Sequence, residues 1–188
     1  MGLLIEKLSG LKYRDYVRQN ILTKPGMTSS DFVRLDQAHE NVAEGNDPLR
    51  DETGQIAGWK KNIYPFPLIG SPDSGAYVTA SDLDRFLRSV KEGELLSSNL
   101  TEVFFTPQVH YRAMDEGTKK YGYGLWFLTD QADQVVFCEK EGINPGVSGL
   151  IRYRPEGDIS KVILSNMEDG VWEPVRKVHE LVIAGQLA

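Results

Sequence analysis

The stretch from Val135 to Asn166 limits the possible folds more than any other part of the chain. Three short runs rich in β-branched and aromatic residues stand there, separated by two turn clusters, Gly142-Ile-Asn-Pro-Gly146 and Pro155-Glu-Gly-Asp158. Glycine supplies positive φ, proline fixes its own φ, and asparagine and aspartate bond their own backbone, so each cluster turns the chain. The pattern predicts a three-stranded antiparallel meander. Its first strand ends in Lys140-Glu141-Gly142, a cation followed two residues on by a glycine. A glycine at a strand end lets a ligand or another backbone approach closely.

A chain of 188 residues suits one domain, or one domain with an appended subdomain, and can bury a real core. The net charge of −6 comes without any basic run, which argues against a nucleic-acid partner, since phosphate binding needs clustered Lys and Arg. Cys138 is the single cysteine, so an internal disulfide and a cysteine-based zinc site are excluded; it sits in an apolar strand and reads as a core residue. His39, His110 and His179 lack metal-type spacing, and His179 reads as a packing residue at the core edge. The sequence calls for no cofactor. No segment approaches the ~20 apolar residues of a membrane span. Met1-Gly2-Leu3-Leu4-Ile5 is too short for a signal peptide, and Glu6 stands where a myristoylation signal wants Ser or Thr. A cytoplasmic location follows if Met1 is the true start, and a periplasmic or extracellular one if a longer precursor exists.

The chain opens in a helical pattern. Leu3, Leu4, Leu8 and Leu11 lie near one helical face, and Tyr13, Tyr16, Val17 and Ile21 make the apolar stripe of a second helix that Lys24-Pro25-Gly26 stops. From Asp36 to Asp73 periodicity is lost, and so long a connection is functional or hides short elements. Its aromatics, Trp59, Tyr64 and Phe66, point to packing and not disorder. Ser81 is the expected N-cap of a helix carrying Leu83, Phe86, Leu87 and Val90, with Asp84 at its capping-box position and Gly93 at its end. Ser98 is the expected cap of the next helix. The run from Tyr121 to Leu128 reads as a glycine-punctuated strand, and a last helix starts near Glu173-Pro174, with proline in its first turn.

In this order the residues resemble the serine β-lactamase and penicillin-binding-protein-like family: class C β-lactamases, D-Ala-D-Ala carboxypeptidases and related esterases. The resemblance rests on Gly2-Leu-Leu-Ile-Glu-Lys-Leu-Ser-Gly10, on Tyr13-Arg-Asp-Tyr-Val with Pro25-Gly-Met-Thr28, and on Asn41-Val-Ala-Glu-Gly45. It continues through Ser74-Gly-Ala-Tyr-Val-Thr-Ala-Ser-Asp-Leu83, Tyr121-Gly-Tyr-Gly-Leu-Trp126 and Lys140-Glu-Gly-Ile-Asn-Pro-Gly146. Ser74 replaces the family's first Gly, and Glu141 its usual Thr or Ser. The family's Ser-x-x-Lys and Tyr-x-Asn motifs would precede Met1. The resemblance therefore implies the C-terminal half of an α+β protein: an antiparallel sheet with a C-terminal helix on it, plus a helical subdomain. Residues 1–120 would be mainly helix and loop, and residues 121–188 strands and the last helix.

The resemblance implies a serine hydrolase acting on an amide or ester, inactive alone because nucleophile, lysine and tyrosine have no counterpart. Lys140 would tune proton chemistry or favour a substrate carboxylate. Gly142 would let substrate lie along the strand, and the Ile143 N–H would be an oxyanion donor. A carboxylate at Glu141 repels an anionic substrate, which favours a neutral ester or amide. Two alternatives stand beside this reading: a non-catalytic binding or scaffolding module, and half of a split protein completed by a partner. Ser9-Gly-Leu-Lys12 matches Ser-x-x-Lys by letter, but glycine stands where a rigid helix must aim the lysine. Ser97-Ser-Asn99 reads as helix capping. In the family the last strand, here Ile159 to Leu164, also pairs with a strand that precedes Met1. The expectation is a bare sheet edge from Ile159 to Leu164, guarded only by Lys161, that pairs with a second copy or with a separate N-terminal half.

Overall fold

The computed structural model describes residues 1–62 and 67–185; Tyr64 and Phe66 lie outside the described residues. The turn clusters act as their chemistry requires. Gly146, Gly157 and Asp158 take positive φ, and the runs between them pair as β6 (Val135–Asn144), β7 (Val147–Arg154) and β8 (Ile159–Ser165). All three pair antiparallel, with Lys140 opposite Ile151 and Ile151 opposite Val162.

The sheet is larger than this meander. β3 (Val109–Met114), β4 (Gly117–Tyr121) and β5 (Trp126–Thr129) extend it to six strands that lie side by side in chain order. It thus begins at Val109, within the part read as helix and loop. The run from Tyr121 to Leu128 is not one strand. Gly124 takes positive φ and the Gly122 N–H donates to the Leu125 carbonyl at 2.9 Å, so the glycines close a hairpin between β4 and β5. The irregular connection hides a second hairpin, β1 (Asn46–Arg50) with β2 (Ile56–Lys61), on which Trp59 is half exposed.

Strand alternation sends successive side chains to opposite faces, and each face has its own cover. On one face Leu125, Phe127 and Cys138 pack with Phe104 and Phe105 at the end of α4 (Ser98–Phe104). α3 (Ala80–Lys91) is tied to the same face: Asp84 accepts from the Ser160 hydroxyl, Lys91 pairs with Asp158, and its ammonium lies 4.4 Å from the Tyr153 ring centroid. On the other face Leu150, Val171 and Val175 pack with Ile163 and Trp172 under α5 (Trp172–Ile183). Full burial of such side chains is worth roughly 1.5–3 kcal/mol each.

The cap of α3 is Thr79, not Ser81: its hydroxyl accepts from the Asp82 N–H at 3.1 Å, because the helix starts at Ala80. Asp84 serves Ser160 and Arg88 instead of a capping box. Ser98 is the first residue of α4, and Ser97 stands at its cap without a side-chain bond. Asp82 is buried and accepts from the Ser29 N–H and the Ser30 hydroxyl, which ties α3 to the segment that follows the first helices. Those are α1 (Gly2–Ser9) and α2 (Tyr13–Val17), the latter continued by a π-helical turn at Arg18–Leu22. Gly2 packs on Pro72, whereas Leu3, Leu4 and Leu8 face outward.

Candidate functional site

β5 begins at Trp126, opposite Glu139. β6 runs on past that point for five more residues, Lys140, Glu141, Gly142, Ile143 and Asn144, which pair with β7 alone among the described residues. Their main-chain groups on the β5 side therefore form a short open edge in the middle of a six-stranded sheet. The length of this overhang follows from where the Tyr-Gly-x-Gly run turns: Gly122-Tyr123-Gly124-Leu125 closes its hairpin one strand away, at the same end of the sheet. Tyr123 at that turn is 64% exposed.

The far end of the overhang is fixed by backbone contact. Gly45 lies against the Gly146 carbonyl, so close that a Cβ at Gly45 would stand 2.8 Å from its oxygen. The Asn46 N–H donates to the Asn166 carbonyl at 3.0 Å, and the Asn166 side-chain amide donates to the Glu44 carbonyl. The β1–β2 hairpin is thereby anchored beside the β6–β7 turn, with Leu49, Ile56 and Trp59 about half exposed on it. Sequence reading missed this wall. Asn166 and the glycines at 45 and 146 were its signal, but only the fold shows that they meet.

Two of the four expected site residues share each face. Lys140 and Gly142 lie on the face of Cys138 and Tyr153, toward the helical body; Glu141 and Ile143 lie on the face of Leu150, toward α5. A ligand paired in the plane of the sheet along the open edge has one pair on either side. Lys140 is exposed and makes no ion pair among the described residues. A Cβ at Gly142 would meet nothing within 4 Å, so no internal neighbour demands glycine there. Cys138, two residues before Lys140, is buried, and burial pushes its thiol up to about 12, which leaves it an inert core residue.

The decoys are accounted for locally. The Ser9 hydroxyl donates to the Ile5 carbonyl at 2.7 Å at the end of α1, and Gly10 takes a left-handed φ of 72° directly after it. Ser9 and Lys12 therefore sit on different segments. His179 packs edge-on against Phe137, with ring centroids 5.7 Å apart, and burial lowers its pKa. Shallow concavities at α3–α4 and beside α5 lie away from the overhang. Among the described residues no group of three or more His, Cys, Asp or Glu could hold a metal ion, and no helix is long and apolar enough to cross a membrane.

Comparison with known proteins fits this architecture. A penicillin-binding protein from Bacillus halodurans is 31% identical and superposes with a TM-score of 0.85 over 96% of this chain and 52% of its own. The octameric penicillin-binding protein homologue from Pyrococcus abyssi is 26% identical, with a TM-score of 0.74 over 88% of this chain and 36% of its own. The D-amino acid amidase from Ochrobactrum anthropi, 21% identical, shares the fold, with a TM-score of 0.73 over 98% of this chain and 56% of its own. The chain thus spans about half the length of these relatives or less. The family model for beta-lactamase matches residues 1–184, and the chain belongs to that serine β-lactamase and penicillin-binding-protein-like family.

Proposed function

We propose that this chain carries the strand side of an acyl-transfer site, one that accepts a neutral amide or ester along β6 while the nucleophile comes from outside these 188 residues. The observation that carries the reading is the overhang of residues 140–144. An extended substrate adds to an open strand edge through main-chain hydrogen bonds, and side chains on either side then select it. The Ile143 N–H is the donor for the oxyanion that develops when a serine attacks the carbonyl. Lys140, exposed and without an ion pair among the described residues, supplies positive charge beside it, and Gly142 keeps that side clear. Glu141 borders the opposite side, where its carboxylate disfavours an anionic group.

Chemistry needs more than this. The only Ser-x-x-Lys in the sequence has its serine tied to a helix carbonyl and its lysine beyond a left-handed glycine. The chain alone is therefore expected to show no β-lactamase or esterase turnover. Treatment with a fluorophosphonate should leave every serine unmodified; stoichiometric labelling of Ser9, or of any other serine, would overturn the reading.

A second reading concerns assembly. β8 is an outer strand of the sheet among the described residues. Edge strands take up further strands. The reading is that residues 159–164 pair with another polypeptide, a second copy or a separate segment, and the octamer of the Pyrococcus abyssi homologue shows that assembly occurs among relatives.

A further inference from the structure

Lys161 is the one charge expected to guard the β8 edge, and it is not a solvated one: the residue is only 7% exposed, and its ammonium has no hydrogen-bond partner among the described residues. Its place in the ladder explains where it points. Glu139, Arg152 and Lys161 form one cross-strand row on β6, β7 and β8, on the α5 face of the sheet. Arg152 gives both its Nε and its Nη2 to Glu139 Oε2, at 2.8 and 2.6 Å, and its guanidinium carbon lies 4.0 Å from the Phe137 ring centroid. Glu139 is thus engaged by Arg152, at side-chain exposures of 12% and 11%.

Arg154 follows Arg152 on the same face. Its Nη2 pairs outward with the exposed Glu156, but its Nε is buried and has no partner among the described residues. From α5 the row is faced by His179, whose pKa is lowered by burial first and then by Lys161 and Arg152. Burial first, then the charges of Arg152 and Arg154, lower the Lys161 pKa to about 8, with only Glu139 opposing them. Two buried cationic nitrogens therefore share one neighbourhood without an acceptor. Buried donors of that kind are satisfied in folded proteins, and unpaired buried charge is costly.

We infer that the α5 side of β8 is a receptor for a single carboxylate, an Asp or Glu on the polypeptide segment that pairs with this edge, with Lys161 and Arg154 as its donors. The segment as occupant rests on the reading of β8 as a strand-accepting edge; the carboxylate requirement is separate from it. A polypeptide fits better than a free anion because Lys161 belongs to the outer strand, whose unpaired side can take up an extended segment, with Arg154 on the neighbouring strand β7. The chemistry also chooses among polypeptides. Residues 159–165 contain no Asp or Glu, so no register of one β8 on another brings the missing acceptor from that strand, and a second Lys161 would arrive in its place. Lys161 thus acts against self-pairing and for a complementary strand, the two halves of specificity. An inward charge on an edge strand is a known guard against unwanted pairing.

The test uses the whole 188-residue chain and a set of eight-residue peptides of alternating Val and Thr, carrying one Glu at each alternate position in turn, with matched Gln peptides. Sodium acetate at equal carboxylate concentration is the control. At least one Glu peptide should bind roughly tenfold more tightly than its Gln match, and it should slow amide exchange in residues 159–165. Lys161→Met should abolish that preference. Because it removes an unpaired buried charge, it should also raise the melting midpoint of the unliganded chain by roughly 2–4 °C. Equal protection of β8 by Glu and Gln peptides would overturn the carboxylate receptor and leave the strand-accepting edge standing. Acetate matching the Glu peptide would make this a small-anion pocket, which also overturns the inference. Absence of protection by any peptide would remove the edge reading and the inference together.

Discussion

Gly142 and Gly146 stand four residues apart and do opposite jobs. Gly146 holds a φ of 73°, and a Cβ there would come within 3.0–3.1 Å of Asn62 and the Asn46 nitrogen. Gly146→Ala is expected to cost roughly 1–3 kcal/mol, from strain and from displacement of the β1–β2 hairpin. Gly142 meets nothing, so Gly142→Ala should change stability by no more than about 0.5 kcal/mol. Urea unfolding of both variants checks the contrast, and equal losses would place Gly142 in the packing and not in the site. The sequence marked both residues through turn chemistry and strand-end spacing. It could not rank them, because the demand on Gly146 comes from residues about a hundred positions earlier.

Elements were legible where local chemistry decides them and obscure where neighbours do. β6, β7 and β8 were readable because each intervening turn has its own Gly, Pro, Asn or Asp. β3 was not: Val109, Tyr111 and Ala113 alternate with His110 and Arg112, but all six residues are exposed, so the short alternation marks no buried face. The Tyr-Gly-x-Gly run reads as a strand by its sequence, although its second glycine adopts the positive φ that closes a hairpin. That misplacement hid the overhang, whose length depends on where β5 begins. The α3 cap shows the same limit on a smaller scale. Thr79 and Ser81 are both competent, and the choice is fixed by the antiparallel bridge between Asp31 and Tyr77, which sets where the chain enters the helix. Thr79→Ala should cost about 1 kcal/mol and Ser81→Ala close to nothing; thermal melts of the pair decide it, and the reverse order would move the helix start.

At the scale of the molecule, two covers share one sheet. The helical body clasps one face through α3 and α4, and α5 lies on the other. The strand order has a bearing on how such a structure comes into being. Because β3 to β8 follow one another in the sheet as they do in the chain, each pairing is a hairpin between neighbours in sequence. Closing short loops is entropically cheap and fast, on the order of microseconds for a hairpin, whereas contacts distant in sequence must wait for the chain ends to meet. Ser160 meets Asp84 across 76 residues and Asn166 meets Glu44 across 122. The expected time course is therefore sheet first, then docking of α3, and last the hairpin that walls the overhang. Pulsed hydrogen exchange during refolding should show amides of β6 and β7 protected before those of α3, and those of β1 and β2 later still. Simultaneous protection of all three would mean a single nucleus spanning helices and sheet. In the expected sequence of events, the wall of the candidate site is the final piece to set.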